Sequence, residues 1–294
     1  MTRAGAWIEG MRLRTLPVSM AGVTAAVGFV AASGARVEWG WAAVCFIFAL
    51  LAQIASNFAN EYFDWRDGVD TAAGRRGPER GVTNGIIPPR QMLVAALLTL
   101  GLACAVGVLT IIRGGWWMLP CGVVIALGAL AYSTGPYPLS RHCLGEVAVV
   151  LFYGLAPVVL TVYLLTLTLP LRAWILGLAI GLWGAMVILV NNYRDIDADR
   201  AAGKRTVSTV IGPQGSALLY CALGQFAGLA MWLSTGAALT FAALLSVIPM
   251  LLGFDAGLAL FKGGLDGRQC TRLLALTSVS MFLTVLIQLI IHLI

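Results

Sequence analysis

Charge is what this sequence has least of. Only 11% of its 294 residues are Asp, Glu, Lys or Arg, whereas a soluble domain carries about a quarter. With 60% hydrophobic residues besides, a water-soluble domain is excluded and an integral membrane protein is expected. Histidine is nearly absent: His142 and His292 are isolated in the sequence, and neither is assigned a role. The six cysteines (Cys45, Cys104, Cys121, Cys143, Cys221, Cys270) show no C-x-x-C spacing. They read as small apolar residues, and neither zinc nor disulfide chemistry is indicated. No cleavable signal peptide is expected, because the first apolar run follows Arg12 and Arg14 but lacks a short hydrophobic core ending in a small-residue cleavage site.

What the chain does have is apolar runs long enough to span, about 20 residues each. They lie near 16–33, 40–62, 91–112, 115–133, 144–166, 172–192, 215–234, 237–259 and 273–293. Their length and Leu, Ala and Gly content predict helices rather than the short alternating strands of a barrel. The expected fold class is therefore all-α, a polytopic membrane protein of nine transmembrane helices. On this count 16 of the 19 basic residues fall on the N-terminal side, and only Arg36, Arg113 and Arg172 fall opposite. The positive-inside rule then places the N-terminus in the cytoplasm and the C-terminus outside, in an inner or plasma membrane. The net charge of +6 is accounted for by arginines at helix ends facing anionic lipid, so no nucleic acid partner is called for.

The long inner loops, about 65–90 and 195–214, are rich in Gly and Pro and suit ordered segments that close over a site. Residues 1–294 read as a single transmembrane domain. A weak internal echo, with an Asn-led acidic cluster at the end of the second and of the sixth helix, predicts two diverged four-helix repeats at 1–142 and 143–260.

Those two clusters, Asn57 to Asp70 and Asn191 to Arg200, hold seven of the thirteen carboxylates: Glu61, Asp64, Asp67, Asp70, Asp195, Asp197 and Asp199. Carboxylates beside a membrane are costly to desolvate and mark function by default. Gln53, Asn57, Asn60, Asp64 and Asp67 follow spacings of 4, 3, 4 and 3, which puts them on one helix face. Helix-to-helix hydrogen bonding explains Gln53 well enough, whereas Asn60 and Asp64 are better read as ligands. Asn192, Asp195 and Asp199 repeat the pattern, with Asp197 pointing elsewhere. Hard oxygen donors in this number suit Mg²⁺, with Mn²⁺ as an alternative, and Mg²⁺ is usually shared with substrate phosphates. Arg66, Arg75, Arg76 and Arg80 follow the first cluster, and Arg194, Arg200, Lys204 and Arg205 surround the second. A site for a free cation has no use for them, whereas a magnesium–diphosphate complex needs both signs. A third inner segment, 131–141, offers Tyr132, Tyr137 and Arg141 to a phosphate or an aromatic acceptor, or else forms a plain turn with interfacial tyrosines. Glu146 reads equally as a base, an arginine partner or an interfacial residue.

Taken in order, Leu13-Arg-Thr-Leu-Pro17, Ser56-Asn-Phe-Ala-Asn-Glu-Tyr-Phe-Asp64, Gly68-Val-Asp-Thr71, Gly135-Pro-Tyr-Pro138, Gly145-Glu146, Asn191-Asn-Tyr-Arg-Asp-Ile-Asp-Ala-Asp-Arg200 and Gly203-Lys-Arg-Thr206 resemble the intramembrane aromatic prenyltransferase superfamily (UbiA-like). Within it they most resemble the branch that prenylates 1,4-dihydroxy-2-naphthoate in menaquinone biosynthesis. The resemblance implies nine helices around a central cavity, capped by cytoplasmic loops. It also implies transfer of a polyprenyl group from polyprenyl diphosphate to 1,4-dihydroxy-2-naphthoate, with loss of diphosphate and CO₂, giving demethylmenaquinone. Carried over by position, Asn60, Asp64, Asp195, Asp199 and Glu61 form the metal set. Glu61 stands where the usual N-D-x-x-D has aspartate. Asp64, Asp195, Lys204 and Arg141 take the catalytic roles. Asn57, Asn60, Asp67, Asn192, Arg205, Tyr137, Tyr132 and Arg14 take the substrate-binding roles. Another aromatic acceptor, such as 4-hydroxybenzoate or homogentisate, fits the same scaffold. A transporter fits less well, because helices seven to nine carry few polar groups for a conducting path.

Overall fold

The computed structural model describes residues 1–13, 15–69, 79–237 and 239–294, the side chain of Ala242 apart. Among these residues the chain is all-helical. Its helices are α1 (Arg3–Gly10), α2 (Leu16–Ala32), α3 (Trp39–Arg66), α4 (Pro89–Gly114), α5 (Met118–Ala131), α6 (Gly145–Val149), α7 (Ala156–Thr166), α8 (Leu171–Arg194), α9 (Ile196–Ala201), α10 (Val207–Ser234), α11 (Phe241–Leu244), α12 (Val247–Lys262) and α13 (Gly267–Leu293). A π turn, Val150–Leu155, joins α6 to α7, and the three form one apolar rod, Gly145–Thr166.

Six helices among the described residues are long and apolar enough to cross a membrane: α3, α4, the Gly145–Thr166 rod, α8, α10 and α13. Each of the nine expected runs coincides with helix, but α2 and α5 are shorter. The run expected at 237–259 is divided into α11 and α12. Pro249 explains the division: proline is accepted in the first turn of α12, whereas in a longer helix its ring would meet the carbonyl four residues back. Two helices extend ahead of their apolar runs, α13 directly and α10 by a short segment that breaks at Gly212 (φ 74°, ψ 179°) before Pro213, and side-chain caps head both extensions. Thr206 and Thr209 exchange hydrogen bonds at the head of α10, and Asp266 and Gln269 do the same for α13, each satisfying amides that would otherwise be unpaired. Helix α1, absent from the expected spans, docks through Ala6 into a small cluster with Phe58, Val82, Ile87 and Met92.

Helix α8 lies at the centre, packed against α2, α6, the π turn, α7, α10 and α13. Of its apolar stretch 72% is buried, against 17% for α4, which leaves α4 as a lipid-facing wall. Close approach here depends on missing side chains. A Cβ on Gly154 would lie 2.4 Å from the Gly177 carbonyl oxygen and from Gly181 Cα, and one on Gly224 2.7 Å from Gly253 Cα. Small residues of this kind let membrane helices meet backbone to backbone.

At about 1.5 Å per residue, the 28 residues of α3 reach roughly 42 Å, beyond a hydrocarbon layer of about 30 Å. Its polar C-terminal turns therefore stand clear of the lipid interior, and α8 delivers its own polar end to the same side of the bundle.

Candidate active site

The polar stripe of α3 is held from several directions. Gln53 Nε2 donates to Asn57 Oδ1 at 3.3 Å, and Asn57 Nδ2 donates to the Met11 carbonyl at 2.9 Å. Asn60 Nδ2 donates to Ser133 Oγ at 2.9 Å, while Asn60 Oδ1 accepts from Arg12 and from Arg80 Nη2 at 3.2 Å. Arg141 bridges two carboxylates, with Nη2 3.4 Å from Asp64 Oδ1 and Nη1 2.8 Å from Asp67 Oδ2.

On the opposite wall the expected continuous helix is broken. Asp195 ends α8 and opens α9, with φ −100° and ψ 10°, yet the Asp199 amide still donates to the Asp195 carbonyl at 2.8 Å, so the two aspartates stay one turn apart. Arg194 clasps Asp195 with two guanidinium nitrogens, at 2.9 and 2.6 Å. Lys204 Nζ lies 3.3 Å from Asp199 Oδ1. Asn192 Nδ2 donates to Glu146 Oε1 at 3.0 Å. The third inner segment is tied to the second cluster through backbone: the Cys143 amide donates to the Arg205 carbonyl, and the Arg205 amide to the Arg141 carbonyl.

These groups surround a polar pocket of about 320 Å³, lined by Asn60, Asp64 and Arg80 on one side and by Asn192, Asp195, Asp199 and Lys204 on the other. A junction pocket of about 100 Å³ shares Arg12, Asn60 and Asn191 with it and adds Gln53, Asn57 and Tyr153. An apolar pocket of about 120 Å³ follows between α3, α4, α5 and α7, with Phe48, Met118, Phe152 and Leu164 among its walls. Tyr132 lines all three pockets.

Burial raises the pKa of Asp199, assisted by Asp195 and Asp64 and opposed by Lys204. Burial pushes Asp67 upward as well, but the hydrogen bonds from Arg66 and Arg141 prevail and hold it below the usual carboxylate range. Asp199 Oδ2 is buried without a hydrogen-bond partner, an oxygen that a hard cation would satisfy. Among the described residues no three Asp, Glu, His or Cys side chains converge on a single ion position. The donor set therefore fits a divalent ion that takes further oxygens from a bound phosphate or water, the usual habit of Mg²⁺.

Not all of the expected residues are brought together at the polar pocket. Glu61 does not line the polar pocket. It is 1% exposed, its Oε1 accepts from the Val82 amide at 3.0 Å, and its Oε2 lies 3.6 Å from Arg80 Nη1. Tyr137 is exposed and stacked on His142 with ring centroids 3.6 Å apart, outside all three pockets, so His142 is not isolated after all. Arg205 enters through its backbone, and its side chain is exposed. Asp67 reaches the site only through Arg141. Arg14 lies outside the described residues, as do Asp70, Arg75 and Arg76. Sequence reasoning missed Arg12, placed over the site by a left-handed turn (φ 53°). It also missed Asn191, whereas Arg194, expected among the cations around the second cluster, does line the pocket.

A family model described as "UbiA prenyltransferase family" matches residues 21–286. The chain is 33% identical over 222 residues to a 1,4-dihydroxy-2-naphthoate octaprenyltransferase of Mycobacterium tuberculosis, covering 76% of this chain and 75% of that protein. It is 31% identical over 226 residues to the protein of the same name from Escherichia coli, covering 72% and 70%. Among solved structures, the apo form of a UbiA homolog from Aeropyrum pernix K1 superposes with TM-score 0.67 at 16% identity, over 92% of this chain and 97% of that one. A UbiA homolog from Archaeoglobus fulgidus bound to DMAPP and Mg²⁺ superposes with TM-score 0.62 at 15% identity, over 94% and 99%.

Proposed function

Since the chain belongs to the UbiA prenyltransferase family, we propose that it transfers a polyprenyl group from polyprenyl diphosphate to 1,4-dihydroxy-2-naphthoate, yielding diphosphate, CO₂ and demethylmenaquinone in its reduced, quinol form, the quinone following by a separate two-electron oxidation. The observation that carries this reading is the series of three pockets: hard oxygen donors and cations at one end, aromatic and amide groups at the junction, and an apolar slot beyond. The relatives named 1,4-dihydroxy-2-naphthoate octaprenyltransferase support the choice of acceptor.

In this reading the diphosphate lies in the polar pocket and the tail in the apolar one, where burial of hydrocarbon favours it. Asn60, Asp64, Asp195 and Asp199 would hold Mg²⁺, which when bound stabilises negative charge on the leaving group. Arg80 and Lys204, which line that pocket, and Arg141, paired with Asp64 at its edge, supply positive charge to offset the negative charge that develops as the allylic C–O bond breaks. Tyr132 and Tyr153 present aromatic faces at the junction, where the reacting carbon becomes electron-poor. The acceptor enters beside them, in a pocket whose polar lining is Arg12, Gln53 and Asn57. Its ring carbon bearing the carboxylate forms the new C–C bond, and CO₂ leaves with restoration of aromaticity.

We further read the bundle as nine spans around one continuous cavity, the pockets opening to the cytoplasm, with residues 1–294 as a single domain and 1–142 and 143–260 as its diverged halves. Purified full-length protein tests the reaction: prenyl diphosphate is supplied with 1,4-dihydroxy-2-naphthoate, 4-hydroxybenzoate or homogentisate, in Mg²⁺, Mn²⁺ or EDTA. Turnover with the naphthoate and loss in EDTA are expected. Preference for either other acceptor would reassign the substrate, and full activity in EDTA would remove the metal.

A further inference from the structure

Glu61 is among the most enclosed side chains in the protein, 1% exposed, yet it is a carboxylate and stands outside the polar pocket. Burying an unpaired charge costs several kcal/mol, so its partners identify its purpose. Among the described residues two groups meet its oxygens, and both belong to the segment that returns to α4: the Val82 amide at 3.0 Å and Arg80 Nη1 at 3.6 Å. Val82 and Ile87 are themselves buried, in a cluster with Ala6, Phe58 and Met92, so the segment is seated on α1 and α3 as well as tied down. The opposite side of the Arg80 guanidinium faces the site, with Nη2 3.2 Å from Asn60 Oδ1 and 4.0 Å from Asp64 Oδ2. Arg80 lines the polar pocket, and its side chain is only 9% exposed.

From this arrangement we propose that Glu61 is a positioning residue: it fixes the 80–82 backbone and orients Arg80, so that the guanidinium is presented to the diphosphate between Asn60 and Asp64. The assignment rests on the prenyl-transfer reading for the identity of the ligand, though not for the strut itself. The glutamate's length matters here. An aspartate at 61 would be one methylene short of the Val82 amide, and Gly10, whose added Cβ would lie 3.4 Å from Glu61 Oε2, leaves room on α1 for the longer side chain.

Two measurements on the full-length protein separate this role from metal ligation and from plain stabilisation. In steady-state kinetics at saturating Mg²⁺ and naphthoate, E61Q and R80A are each expected to raise KM for prenyl diphosphate about tenfold or more, the scale of one charged hydrogen bond. In the double variant E61Q/R80A the effect should be no larger than in R80A alone, and the Mg²⁺ dependence of E61Q should match wild type. A shifted Mg²⁺ dependence in E61Q, or effects that multiply in the double variant, would overturn the proposal and return Glu61 to the metal set or to an independent role. Amide hydrogen exchange needs no turnover. E61A should speed exchange at residues 80–87 and leave α8 and α13 unchanged, whereas unaltered protection at 80–87 would refute the strut directly. A wild type inactive with every acceptor would count against the prenyl-transfer reading alone, since the exchange result stands apart from it.

Discussion

Asp64 and Asp195 line one pocket from different helices, each already beside an arginine. Replacing either by asparagine keeps shape and removes the charge that a divalent ion requires. D64N and D195N are expected to lose nearly all prenyl transfer at any Mg²⁺ concentration while retaining the wild-type melting profile in detergent. Normal turnover in both would dismiss the metal role. Arg141 and Lys204 differ, because each pairs with a proposed ligand instead of being one. R141A and K204A should weaken prenyl diphosphate use by about 1.5–3 kcal/mol apiece, read as KM for prenyl diphosphate at saturating acceptor, and unchanged values would make them ordinary surface charge. Periodicity identified the α3 stripe well, because a helix repeats every 3.6 residues and Gln53, Asn57, Asn60 and Asp64 obey it. It said nothing of Glu61, which lies off that stripe and entered through the resemblance, nor of Tyr137, which sits in a loop, since spacing gives a helix face but not which neighbour a side chain meets. Arg12 was beyond reach for a different reason: a single left-handed residue between α1 and α2 leaves no periodic trace.

The π turn at Val150–Leu155 contributes to two of the pockets, the apolar one and the junction. Widening one helical turn carries Phe152 into the apolar pocket and Tyr153 into both it and the junction, while Gly154 stays against Gly177 and Gly181. G154L would drive a side chain into backbone that cannot yield, so overpacking of about 1–3 kcal/mol is expected. It would be seen as a lower melting temperature together with lost activity, whereas a leucine accommodated at no cost would show this contact to be loose. The sequence displayed the apolar run but not the extra residue within it, because a π turn conserves hydrophobicity while changing only register. Division of the 237–259 run was likewise hidden behind uniform apolarity, although Pro249 was there to be weighed.

For the whole molecule, the asymmetry of basic residues predicts sidedness, and the structure supplies insertion points. Ala35 and Lys262 are exposed and have ordinary backbone. Cysteines introduced there, in a background where Cys104, exposed in the wild type, and the half-buried Cys121, Cys143 and Cys221 have been replaced, should label from opposite sides of sealed vesicles, the one at Lys262 from the cytoplasmic side. Labelling of both from one side would overturn the nine-span reading. The all-helical membrane fold was legible because apolar length is a direct demand of the bilayer, whereas tertiary partners such as α8 with its glycine-lined neighbours follow from packing that no single run encodes. The brevity of α5 has a physical consequence of its own. Its 14 residues cover about 21 Å at 1.5 Å per residue, well short of a hydrocarbon layer near 30 Å, and its outward side, with Leu119, Val123, Val124 and Leu127, is exposed. On the nine-span reading, lipids around that wall would compress or tilt to match it, and thin membranes would cost the enzyme less than thick ones.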